Sequence, residues 1–178
     1  MTHLDAATLQ RFLALAGDRL TGSWVVIGGC VLPLLGIEHR VTYDIDVAGP
    51  DEADMRQMRI LLEIAEKLGL PMHAINHTGS FLLHEGGGWQ RHNVELHRGS
   101  SATLHVPDAT LFLLLKLRRL SESDLGDCRV MVERARRLGA DIDADRIRAV
   151  TREHLERAPS PTRAERLQQL LELVGDPA

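Results

Sequence analysis

Val25-Val26-Ile27-Gly28-Gly29-Cys30-Val31-Leu32-Pro33-Leu34-Leu35-Gly36-Ile37-Glu38-His39-Arg40-Val41-Thr42-Tyr43-Asp44-Ile45-Asp46-Val47 is the segment from which the rest of the chain can be placed. It opens with a β-rich run that includes Trp24, bends at Gly28-Gly29, continues as a short apolar helix and ends in a strand carrying Asp44 and Asp46. Side chains alternate faces along a strand, so the two-residue spacing puts both carboxylates on one side, roughly 6–7 Å apart along the chain. Carboxylates held that close repel unless a cation lies between them. Hard divalent cations such as Mg²⁺ take carboxylate oxygen and keep phosphate oxygens as co-ligands. A glycine turn leading into a helix offers backbone N–H groups and room for an anion. One segment therefore combines a phosphate cradle with a metal clamp. Each part also has an ordinary reading, a tight turn or a pair of surface acids, and it is their order and separation that favour chemistry.

The compound pattern Gly28-Gly29, spacer, His39-Arg40-Val41-Thr42-Tyr43-Asp44-Ile45-Asp46 resembles the nucleotidyltransferases of the DNA polymerase β type, especially their small stand-alone bacterial members. Those include abortive-infection and toxin-type transferases and antibiotic nucleotidyltransferases. The specific match covers about twenty residues, with weaker support to about residue 127. The resemblance implies transfer of a nucleoside monophosphate from a nucleoside triphosphate to an acceptor hydroxyl on RNA (tRNA), protein or a small molecule. It implies two Mg²⁺ ions, or Mn²⁺ in their place, on Asp44, Asp46 and a third carboxylate from a neighbouring strand. Glu95, the only acid between Glu85 and Asp108, is the candidate for that third ligand and for the general base, against its other reading as a solvated strand glutamate. Gly28, Gly29 and Arg40 would hold the β- and γ-phosphates. Lys116 would neutralise charge as pyrophosphate leaves, because toxin-like members place such a lysine on the helix after the catalytic sheet. Asp124 would position Lys116 or Arg118.

Composition narrows the classes. The 178 residues allow one domain, or a compact domain with a helical appendage, and an aliphatic core, with 44% hydrophobic but only 3% aromatic residues. So few aromatics argue against a base-stacking platform for single strands. Net charge is −4 and unevenly spread: residues 1–105 hold eight Lys and Arg against twelve Asp and Glu, and residues 106–178 hold thirteen of each. A nucleic-acid partner would need a local basic patch. Cys30 and Cys128 stand far apart, without the spacing of a zinc knuckle or disulfide framework. No signal-peptide pattern and no apolar run long enough for a bilayer is read, so a cytoplasmic protein without a membrane partner is expected.

Outward from the central segment, Asp5 caps a helix whose stripe is Leu9, Phe12, Leu13, Ala16 and Leu20. After the Asp-x-Asp strand, Pro50 and Asp51 open a helix with Met55, Met58, Leu62, Ala65 and Leu68 at helical spacing. Short strands are expected at Met72–Asn76, Ser80–His84, His92–His97 and Thr103–Val106, with a turn at Gly86-Gly87-Gly88. Six of the nine histidines lie between His73 and His105, in spacings that fit no zinc signature. Pro107-Asp108 begins an apolar helix ending in Lys116, which either snorkels or reaches a buried site. Ser121 to Asp124 start the next helix, with Leu125, Cys128, Val132, Ala135 and Leu138 along one side. Two more helices follow, the last opened by a capping box of Thr162 and Glu165. Arg134, Arg136, Arg137, Arg146, Arg148 and Arg152, interleaved with acids, read as a solvated face or as part of an RNA groove.

The expected architecture is an α/β (α+β) fold: a small mixed sheet with packed helices as catalytic core over residues 1–106, and a helical part over 107–178 packed on it. The rival from another class is a non-catalytic protein of the same fold acting as an antitoxin or binding partner. As a toxin-type enzyme the chain would itself have a cognate antitoxin.

Overall fold

In the computed structural model the described residues are 4–50, 55–77, 83 and 88–175. They form two compact units, Met1–Pro107 and Asp108–Ala178. The first is built on a mixed five-stranded sheet in the order β3-β2-β1-β5-β4. β1 (Gly22–Ile27) lies in the middle, antiparallel to β2 (Ile45–Ala48) and parallel to β5 (Ala102–Pro107). A central strand is covered on both faces, which is why Trp24, Val25, Val26 and Ile27 are all buried and read as a continuous apolar run. β3 (Ile75–Asn76) runs parallel to β2, and β4 (Asn93–Arg98) runs antiparallel to β5, with a register shift between Glu95 and His97.

Helix α1 (Ala6–Arg19) packs on β5 and β4. Its cap is the expected Asp5, whose carboxylate accepts the Thr8 N–H at 2.7 Å, and its buried side is Leu9, Phe12, Leu13 and Ala16. The Asp18 carboxylate at its end takes the N–H and hydroxyl of Ser100, and so fastens the β4–β5 turn to the helix. Helix α2 (Val31–Leu34) is the short apolar helix after the glycine turn. Helix α3 (Met55–Lys67) packs on α1 with a different side inward from that predicted by its spacing. Gln57, Leu61, Ile64 and Ala65 are buried, whereas Met55 and Leu62 are exposed. Two aliphatic stripes run along this helix, and the inner one carries Gln57, whose amide accepts the Thr21 N–H and donates to the Thr21 hydroxyl.

The strand expected over Met72–Asn76 is mostly a 3₁₀ turn, Met72–Ala74, leaving only Ile75 and Asn76 to pair. Pro71 starts that turn by accepting the Ala74 N–H. The strand expected at Ser80–His84 and the start of the Gly86-Gly87-Gly88 turn lie outside the described residues, apart from Leu83, which is buried, and Gly88.

The second unit is helical: α4 (Ala109–Leu117), α5 (Glu122–Leu138), α6 (Ala144–Glu156) and α7 (Pro161–Leu173). Asp108 caps α4 by accepting the Leu111 N–H at 2.8 Å. A capping box does occur in this unit, but at Ser121 and Asp124 on α5. At α7 the cap is Ser160, with Pro161 in the first turn where its missing N–H costs nothing, so Thr162 falls inside the helix. Among the described residues no helix is long and apolar enough to cross a membrane.

Candidate active site

Three neighbouring strands and the turn after β1 meet at Asp46. It lies on β2, laterally paired with Ile27 of β1 on one side and Asn76 of β3 on the other. Asp46 is half-buried between buried Ile45 and Val47, whereas Asp44, expected on the same strand, precedes its first residue and is exposed. The turn at Gly28 then brings the chain back over this carboxylate. Gly28 has φ +79°, and a methyl there would come within 2.5 Å of Asp46 Oδ2. A side chain at this position would be strained by the left-handed backbone and would displace the acid.

Gly29 has a partner of opposite charge. A methyl on Gly29 would come within 2.5 Å of Arg40 Nη2, so the guanidinium rests directly on the turn. Thr42 sets the approach to the acids: it is buried, and its carbonyl accepts the Leu4 N–H at 2.9 Å. Cys30, the cap of α2, reports on the site from beneath. Its sulfur donates to the Ile27 carbonyl at 3.1 Å. Burial, together with the charges of Asp46 and Asp44, pushes its thiol up to about 12. Asp46 is the carboxylate whose side chain reaches the turn, at Gly28.

Gly28, Gly29, Arg40 and Asp46, singled out on sequence, are thus brought together, with Asp44 two positions before Asp46. Asn76 joins them, its amide donating to Asp46 Oδ1 at 3.2 Å. Nothing in the motif names Asn76. The sign that was available is that a β-strand following the helix after Asp-x-Asp can pair beside it.

Glu95 is not part of this group. It sits on β4, and its lateral partners are His105 on β5, then Val25 on β1, then Ala48 on β2. Three strand-to-strand steps amount to roughly 14 Å, well beyond the reach of a shared cation. Its carboxylate is engaged by the Arg98 guanidinium, which holds it below the usual glutamate range. The expectation of Glu95 as third ligand and base is corrected accordingly. The irregularity between Glu95 and His97 breaks the alternation expected for this strand, and strand order places Glu95 at the far edge of the sheet. Among the described residues no group of three or more His, Cys, Asp and Glu side chains is arranged to hold a metal.

Lys116 belongs to the helical unit and is 8% exposed. Its ammonium lies 2.7 Å from Asp127 Oδ2 and 3.1 Å from Asp124 Oδ1, and Arg119 donates twice more to Asp124, at 2.7 and 2.9 Å. Burial alone would raise the Asp124 pKa, but Arg119, Ser121 and Lys116 outweigh it and hold the carboxyl well below its ordinary value. The partnership of Lys116 with Asp124 is as expected. The role of holding phosphates is not what its surroundings provide, since two carboxylates already match its charge.

The arginines of this unit also sort differently from their sequence grouping. Arg136 and Arg148 donate to the carbonyls of Leu173, Val174 and Gly175 and so cap the end of α7. His154, on α6, is half-buried. Burial first, then the charges of Arg163, Arg157 and Arg118 against that of Glu153, hold this imidazole below its ordinary pKa. Arg163 is fixed by donating to the carbonyls of Leu117, Arg118 and Arg119. Comparison with protein-family models, curated proteins and solved structures finds no match for this chain.

Proposed function

We propose that the chain is a metal-dependent nucleotidyltransferase of the DNA polymerase β type, which moves a nucleoside monophosphate from a nucleoside triphosphate to an acceptor hydroxyl. The observation that carries this reading is that successive glycines of one turn are approached by opposite charges: a methyl on Gly28 would meet the Asp46 carboxylate and a methyl on Gly29 the Arg40 guanidinium, each at 2.5 Å. A glycine turn, a cation and a carboxylate pair are the parts needed to seat a triphosphate and share a hard cation with it.

The donor chemistry fits Mg²⁺, or Mn²⁺ in its place. Asp44 and Asp46 supply only oxygen, and a small hard ion held by one or two carboxylates takes its remaining ligands from water and phosphate. Bound there, the ion would contribute positive charge to the phosphate oxygens and favour in-line displacement. The chain's own residues do the rest. Gly28 and Gly29, lacking side chains, let phosphate oxygens approach the backbone. Arg40 offsets the charge that grows on the departing pyrophosphate. Asp44, the exposed member of the pair, is open to take the acceptor's proton as the new P–O bond forms and the bond to the β-phosphate breaks.

For the acceptor, RNA, protein and a small molecule are the candidates that the experiment separates. Calorimetry with Mg²⁺ and each nucleoside triphosphate, followed by transfer of labelled nucleotide to bulk tRNA, protein or aminoglycoside-like small molecules, tests the reading. Asp44→Asn and Asp46→Asn are expected to abolish transfer with little change in Tm. A folded wild-type chain that binds no triphosphate would instead support the non-catalytic partner role.

A further inference from the structure

We propose that Asn76 is a positioning residue for Asp46, its amide fixing that carboxylate to take a divalent cation. The proposal rests on the metal-binding reading above and extends it to a residue outside the motif.

The geometry is specific. Asn76 and Asp46 are lateral partners in the parallel β2–β3 pair, so their side chains stand side by side on one face of the sheet. An ionised carboxylate can only accept, so the group facing Asp46 Oδ1 at 3.2 Å is the amide N–H and not its carbonyl. That bond holds one carboxylate oxygen toward β3 and leaves Oδ2 turned to the Gly28 bend, where a methyl would come within 2.5 Å of it. Asp46 is therefore gripped between a donor and a glycine, with little freedom to rotate. Groups that orient a metal ligand in this way typically change metal affinity by about 10- to 100-fold when removed.

Charge follows from the same arrangement. Asp46 and, two positions before it, Asp44 bring negative charge, and Arg40 on Gly29 brings one positive charge. Glu95 lies across the sheet and adds none here. An aspartate at 76 would add a third negative charge against Asp46, costly without metal and favourable with it.

The test is titration of the nucleotide-free chain with Mn²⁺, followed by the paramagnetic resonance of free ion, alongside melting in EDTA and in Mn²⁺. Wild type is expected to bind one ion. Asn76→Ala is expected to bind it at least tenfold more weakly with an unchanged Tm in EDTA. Asn76→Asp is expected to melt lower in EDTA, to recover in Mn²⁺, and to bind the ion more tightly. A wild type that binds no ion, or an Asn76→Ala chain that binds Mn²⁺ as wild type does, overturns the proposal. So does an Asn76→Asp chain whose melting ignores the metal. Failure of transfer by a wild type whose Mn²⁺ affinity does depend on Asn76 would remove the transferase reading and leave this one standing. Active transfer with an Asn76-independent affinity would do the reverse.

Discussion

Gly28 is the residue at which local conformation and chemistry are tied most tightly. Its left-handed backbone disfavours any other residue, and its missing side chain is the space into which Asp46 points. Gly28→Ala combines both effects: roughly 1–2 kcal/mol of backbone strain and a displaced carboxylate. The expected outcome is a modest fall in Tm with a far larger loss of Mn²⁺ binding, read by melting and titration on the same sample. The motif named Gly28, Gly29, Arg40, Asp44 and Asp46 because their chemistry is declared by residue type and spacing. Asn76 was hidden because an asparagine becomes part of the site only through the strand it happens to pair with.

At the level of elements, α4 and α5 are held to one another by charge as well as by apolar packing. Lys116 near the end of α4 and Asp124 and Asp127 in the first turns of α5 are all buried, and the Ser121 capping box shares Asp124 with them. Such a cluster is costly to break from one side, since the partners left behind remain desolvated. Lys116→Met is expected to destabilise the chain by about 3–5 kcal/mol, measured by urea unfolding. A change under 1 kcal/mol would mean that the cluster contributes little. Periodicity predicted these helices, and α1 with its cap, because an aliphatic stripe and an Asp or Ser before it are local signals. It misassigned the inner side of α3, where two stripes compete and the choice falls to whichever side α1 and Thr21 receive.

For the molecule as a whole, acid stability is set by carboxylates that are ionised in the folded chain. Asp124 is the most deeply enclosed of those whose pKa is lowered, so its contribution is fully present above the unfolded value of about 3.9 and is lost as pH falls through and below that point. Melting followed from pH 7 to pH 2 should therefore drop most steeply below about pH 4. In Asp124→Asn the decline should be shallower and start from a lower Tm. An equal slope in the two chains would assign the acid loss to other groups. From residue order alone came the mixed α and β class, the aliphatic core, the glycine turn and the helix caps at Asp5, Asp108 and Ser121, all of which rest on contacts within a few residues or on periodic burial. Strand order, by contrast, is a property of the folded sheet: it carried Glu95 to one edge and brought Asn76 against Asp46. Such partners are separated by many residues along the chain, and it is the packing of the core that selects which of them come together.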